Sequence, residues 1–91
     1  MLFIIFWNAN PEKVPEVIRL AKSGDARFVP PSGVKDIAEY VTPGGKFVQI
    51  VEAESAEPLT KYVVAAGLKD GLCTSVEVHP ALPIEKWVEC F

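Results

Sequence analysis

Four apolar, β-rich runs and two one-sided helical stripes follow one another as β-α-β-β-α-β, an order that predicts an α+β sandwich: a four-stranded antiparallel sheet with two helices on one face. Three observations carry the prediction. The chain has 91 residues, enough for one core and too few for two. The apolar period switches from 2 to 3.6 and back in the order just given. The two halves also correspond: shifted by 45 residues, Leu2 to Phe6 falls on Phe47 to Val51, Asn10 falls on Ser55, and Val14, Val17, Ile18 and Ala21 fall on Leu59, Tyr62, Val63 and Ala66. A doubled split β-α-β unit is the ferredoxin-like arrangement. Residues 1–91 form that single domain, with 80–91 as a C-terminal tail.

Each element has a local reason. Leu2 to Trp7 is apolar on both parities, the mark of a strand covered on both faces. Asn10-Pro11-Glu12 is a helix start, with Asn as cap and Pro where no amide hydrogen is needed, and the helix ends near Ser23-Gly24. Pro15 then falls inside the helix, so either the first turn is distorted or the regular helix begins a few residues later. Gly24 to Gly33 is a loop, and Val34 to Val41 carries the mixed charges of an edge strand. Thr42-Pro43-Gly44-Gly45 turns the chain into a hairpin with Lys46 to Ala53. Ser55 caps the second helix, Pro58 sits in its first turn, and Gly67 stops it. Leu72 to His79 is the last strand. In the tail, Ile84, Trp87, Val88 and Phe91 have helical spacing, though a short extended arm fits nearly as well.

The crossover rule is expected to place the first and third strands as parallel neighbours at the centre. The internal correspondence assigns faces. Gln49 decides which is which, since a buried amide without partners costs roughly 1–3 kcal/mol. Phe3, Ile5, Val48 and Ile50 are therefore expected under the helices, with Leu72, Thr74, Val76 and Val78. The open face then holds Leu2, Ile4, Phe6, Asn8, Phe47, Gln49 and Val51, with Cys73, Ser75, Glu77 and His79. Such a face is an apolar patch, and burying ~600 Å² of it contributes on the order of 15 kcal/mol before association costs. The expectation is a homodimer, sheet against sheet, closing an α/β barrel with a small cavity between sheet and partner.

Composition excludes several function classes. Nine Lys and Arg against twelve Asp and Glu give a net charge of −3, and the basic residues are scattered, which disfavours nucleic acid. Apolar residues make up 49% of the chain, more than so small a domain covers by itself, which points to a partner surface. A chain this size is expected to expose ~5,200 Å² when folded. The apolar start has no preceding positive charge and spans seven residues where a membrane helix needs ~20. No membrane association is expected, and the location is read as cytoplasmic. Cys73 and Cys90 form no C-x-x-C pair and no Cys/His cluster, so they read as two buried reduced thiols and not as a zinc site. There is no G-x-x-x-x-G-K or G-x-G-x-x-G loop, and no metal or cofactor is called for.

The segments Met1-Leu2-Phe3-Ile4-Ile5-Phe6-Trp7, Pro30-Pro31-Ser32-Gly33-Val34-Lys35, Gly44-Gly45, Val51-Glu52-Ala53-Glu54-Ser55-Ala56-Glu57 and Val76-Glu77-Val78-His79-Pro80 resemble a small family of unknown function within the dimeric α/β-barrel superfamily. The resemblance runs over residues 1 to about 80, and the stretch from Leu82 onward departs from it. It implies the fold and the dimer. It implies no catalytic residues, because that superfamily spans cofactor-independent oxygenases, muconolactone isomerases, chlorite dismutases and stress-response barrels.

Within the chain, the pair with catalytic potential is Glu77 and His79, two apart on one strand and so on one face, where a carboxylate can orient an imidazole as general base. The structural alternative is a rim histidine and a solvated or dimer-pairing glutamate. Asn8, Gln49, Phe6 and Phe47 are the candidate ligand contacts. Trp7, Phe28, Tyr40, Tyr62 and Trp87 offer aromatic lining, although such residues mostly pack cores and interfaces. Glu52, Glu54 and Glu57 at the strand-to-helix corner read as solvated charges, with Glu57 complementing the helix dipole. The favoured function is a non-catalytic module binding a small apolar ligand or a protein. The alternatives are a cofactor-independent oxygenase or isomerase acting on a planar organic substrate, and a structural protein whose tail builds higher oligomers.

Overall fold

β1 (Leu2–Ala9) runs up the middle of the sheet, with β3 (Lys46–Ala53) on one side and β4 (Cys73–Ala81) on the other; β2 (Val34–Val41) pairs outside β3. The computed structural model describes residues 1–91. α1 (Val14–Lys22) and α2 (Ala56–Val63) follow β1 and β3, and a short α3 (Ile84–Glu89) follows β4. This is the ferredoxin-like pattern. The expected parallel pairing at the centre is corrected: β1 and β3 are antiparallel neighbours, as are β1 with β4 and β2 with β3. A β-α-β unit returns the chain parallel to its start, so β2 runs with β1; the hairpin then reverses it, and β3 must run against β1.

The helix starts resolve the doubt over Pro15. Asn10 caps a 3-10 turn at Pro11–Lys13, its side chain accepting from the Glu12 amide at 3.1 Å, and α1 begins only at Val14 with Pro15 in its first turn. Ser55 holds the cap position of α2 with extended backbone, but its hydroxyl makes no capping bond. Gly67 does not stop α2. The helix widens into a π-turn over Val64–Leu68, and Gly71, at φ +67°, turns the chain toward β4.

The core is a single layer between the sheet and α2: Ile5, Trp7, Val51 and Ala53 from the strands meet Leu59, Tyr62, Val63 and Ala66. β1 presents the faces expected of it, Ile5 and Trp7 inward and Leu2, Ile4, Phe6 and Asn8 on the open face. β3 presents the reverse. Ile5 pairs with Gln49 and Phe3 with Val51, so Phe47, Gln49 and Val51 lie under the helices, and Val48 and Ile50 join the open face. On β4, Ser75, Glu77 and His79 pair with Asn8, Phe6 and Ile4 on the open face as expected. A register shift at Asn8/Ala9 sends Cys73 to the helix side, where it packs against the core, and leaves Thr74 exposed with its hydroxyl donating to the Asn8 carbonyl.

The stripe on α1 also turned out differently. Leu20 is its buried residue, Ile18 is 49% exposed, and Val17 and Ala21 face a gap between α1 and the sheet. Arg27 holds this side together, its guanidinium reaching Asp25 at 3.0 Å and Asp70 at 2.8 Å, which ties the loop after α1 to the turn after α2. The molecule exposes 6148 Å², more than the ~5,200 Å² expected of its size, consistent with a thin, incompletely covered sandwich.

A candidate ligand cleft on the helix face

The gap between α1 and the β2–β3 end of the sheet is a cleft of about 490 Å³, within the range of small-molecule sites. Its walls are mainly apolar and aromatic, including Trp7, Phe28, Phe47 and Leu72. A linked polar group forms one wall. The Trp7 indole N–H donates to Gln49 Oε1 at 3.0 Å, and Gln49 Nε2 donates to the Tyr62 hydroxyl at 3.1 Å and to Glu39 Oε1 at 3.2 Å. Gln49 is only 3% exposed, and these three bonds satisfy the amide. Trp7 also meets Tyr62 edge to face, ring centroids 5.6 Å apart, so the two aromatic partners of the amide brace each other.

Glu39 reaches this group because β2 is irregular. Asp36 pairs with Val51 and Ala38 with Ile50, so Ile37 is an extra residue, and the bulge brings Asp36 and Glu39 to the helix face together. Glu39 stays largely exposed, but partial desolvation of its carboxyl first, and then the neighbouring Asp36 carboxyl, push it above the usual carboxylate range. Burial likewise raises the Tyr62 phenol, against the opposing pull of its hydrogen bond with Gln49. Cys73, which also lines the cleft, has its thiol raised by burial, which keeps it protonated and a poor nucleophile at neutral pH. Across the cleft, the Arg27 amide and guanidinium hold Asp25 below the usual range.

The predicted site residues divide between the two sides of the sheet. Gln49 and Phe47 line the cleft; Asn8, Phe6, Glu77 and His79 lie on the opposite, open face. The cleft lies between sheet and helices, on the other side of the sheet from the open face where a partner is expected. Glu77 and His79 do come together, with His79 Nε2 at 3.9 Å from Glu77 Oε2, but both side chains are more than half exposed, and His79 sets its ring edge against Phe6. Asn8 Nδ2 donates to Ser75 Oγ at 3.0 Å on that same face. Of the aromatic candidates, Trp7, Phe28, Tyr40 and Tyr62 line the cleft, whereas Trp87 stands on exposed α3 and meets Phe91 edge to face. Glu57 lies in the first turn of α2 and pairs with Lys61 at 3.2 Å. Both cysteines are free thiols, but only Cys73 is even partly buried; Cys90 is exposed. Glu39 escaped the sequence reading, because residues three apart on a regular strand point to opposite faces and no residue pattern announces the bulge.

The model of the domain of unknown function DUF3303 matches residues 1–91. The chain belongs to this family. The match includes the residues beyond Leu82, so the tail is part of the DUF3303 domain and not a departure from it. No curated protein matches the chain. Among solved structures, Rv0793 from Mycobacterium tuberculosis superposes with a TM-score of 0.52 at 17% identity, covering 90% of this chain and 94% of that one. A protein described as an antibiotic biosynthesis monooxygenase superposes with a TM-score of 0.51 at 21% identity, covering 91% of this chain and all of that one. At these identities the likeness establishes the fold of this DUF3303 member, a ferredoxin-like fold, and nothing beyond it. No helix is long and apolar enough to cross a membrane.

Proposed function

We propose that this DUF3303 domain binds a small, flat and largely apolar organic molecule in the helix-face cleft. The observation that carries the reading is the polar group around Gln49 set into an apolar, aromatic wall: such a wall holds a hydrophobic body, and a few fixed polar groups orient it. Titration with 1-naphthalenemethanol, followed by calorimetry, tests it. Saturable binding to the wild-type chain and its loss in Ala21→Trp, which plugs the cleft from the exposed side of α1, are expected. No binding, or binding untouched by Ala21→Trp, overturns the reading.

A second reading is cofactor-independent oxygenation in the same cleft, favoured by the fold shared with a protein described as an antibiotic biosynthesis monooxygenase. Oxygen uptake dependent on a planar phenol and abolished by Ala21→Trp would support it; binding without uptake leaves the module non-catalytic.

The open face serves, on this proposal, for self-association. Leu2, Ile4, Phe6, Val48 and Ile50 share it, all apolar and all only partly covered, and a second sheet would cover them. Ile4→Lys is expected to turn a dimeric mass into a monomeric one, and a wild-type chain that is monomeric at high concentration removes this part of the proposal.

A further inference from the structure

The ionisable groups lining the cleft carry charge of one sign. Asp25 and Glu39 are its charged residues, and no Lys, Arg or His stands among its walls. The two carboxylates are not equivalent. Asp25 already has a cationic partner in Arg27, which it shares with Asp70. Glu39 has no basic partner: it accepts from the neutral Gln49 amide and stands beside Asp36, a second carboxyl delivered to the same face by the Ile37 bulge. Next to this unbalanced charge lie the rings of Trp7, Phe47 and Tyr62, whose electron-rich faces also attract cations.

We infer that the cleft selects an organic cation, an amine carried on a flat apolar body, with its ammonium at Glu39 and its body among Trp7, Phe28 and Phe47. The inference rests on the ligand-binding reading above and narrows it to a chemical class. An ammonium gives Glu39 the partner that the protein withholds and relieves its repulsion with Asp36. A ligand carboxylate would instead add a third negative group to the pair, with only neutral donors, the Gln49 amide and the Tyr62 hydroxyl, to meet it. A neutral alcohol gains the apolar contacts and nothing from the charge.

The test compares three probes of one shape, 1-naphthylmethylamine, 1-naphthalenemethanol and 1-naphthoate, titrated calorimetrically into the wild-type chain and Glu39→Gln at neutral pH and low salt. The amine is expected to bind about tenfold more tightly than the alcohol, as for a partly solvated ion pair, and the carboxylate more weakly than either. Glu39→Gln keeps an acceptor for Gln49 and should collapse the ratio between amine and alcohol affinity to about one. Added salt should weaken the amine alone. An alcohol or carboxylate that binds as tightly as the amine, or an amine preference that survives Glu39→Gln, overturns the cation inference and leaves the cleft as a binding site. Failure of all three probes to bind overturns both. The ranking in the wild-type chain decides the matter even where the variant is poorly folded.

Discussion

Trp7 and Gln49 hydrogen-bond to each other at 3.0 Å within the helix-covered layer, and this contact reverses the face that an isolated glutamine would be assigned. An amide in a core costs free energy only while its hydrogens and oxygen lack partners. Here Trp7, Tyr62 and Glu39 converge on one side chain, so Gln49 organises the cleft wall. Gln49→Leu is expected to strip the Trp7 indole of its acceptor and loosen Tyr62, destabilising the fold by about 1–3 kcal/mol. Urea unfolding measures the loss, and a variant as stable as the wild type would show that the amide network contributes nothing.

Gly67 has no room for a side chain. A Cβ there would stand 3.0 Å from Trp7 Cζ3 and 3.2 Å from Cys73 Sγ, with Trp7 already clamped by Gln49 and Tyr62. Gly67→Ala should therefore displace the indole and cost about 1–3 kcal/mol, as overpacked cores do. A shifted Trp7 indole N–H resonance together with a lowered Tm is the expected signature, and an unmoved resonance would contradict it.

Glu39 links pH to stability with a definite sign. Between the ordinary carboxylate pKa and its own raised value, the folded chain keeps a proton that the unfolded chain has lost, so stability falls as pH rises across that window and levels off above it. Glu39→Gln lacks this dependence. The stability of the variant relative to the wild type is expected to grow as pH rises through the window, measured by urea unfolding from about pH 4 to about pH 8. A difference that stays flat with pH would place the Glu39 carboxyl in its ordinary range.

Because His79 and Glu77 lie on the opposite side of the sheet from the cleft, His79→Ala and Glu77→Gln should leave the affinity for 1-naphthalenemethanol unchanged. A several-fold loss of affinity in either variant would mean that the two faces communicate through β1.

The tail is expected to add little to the stability of one chain. Ile84, Trp87, Val88 and Phe91 are all more than half exposed, and Trp87 and Phe91 meet edge to face with ring centroids 4.8 Å apart. Deleting residues 82–91 should shift unfolding of the monomer by less than about 0.5 kcal/mol, the scale of surface changes. A larger loss would show that α3 packs on the body of the domain, and a changed oligomeric mass would show that it packs on a neighbour.

Much of this protein was decided locally, and so was readable from residues alone. Strand and helix order, the hairpin at Gly44-Gly45, the cap at Asn10 and both faces of β1 depend on apolar period, turn residues and capping chemistry, which act over a few neighbours. The face of β3 was not local. Its strand alternates Phe47, Gln49, Val51 against Val48, Ile50, both sets apolar enough to be buried, and the lone glutamine favours exposure until Trp7, 42 residues away in sequence, supplies a partner. The extra residue at Ile37 and the register shift at Asn8/Ala9 belong to strand pairing as well, and they set the directions of Glu39 and Cys73. A side chain's face on a strand changes with every single-residue slip, so the cleft, which depends on four such faces at once, existed only once the strands had paired.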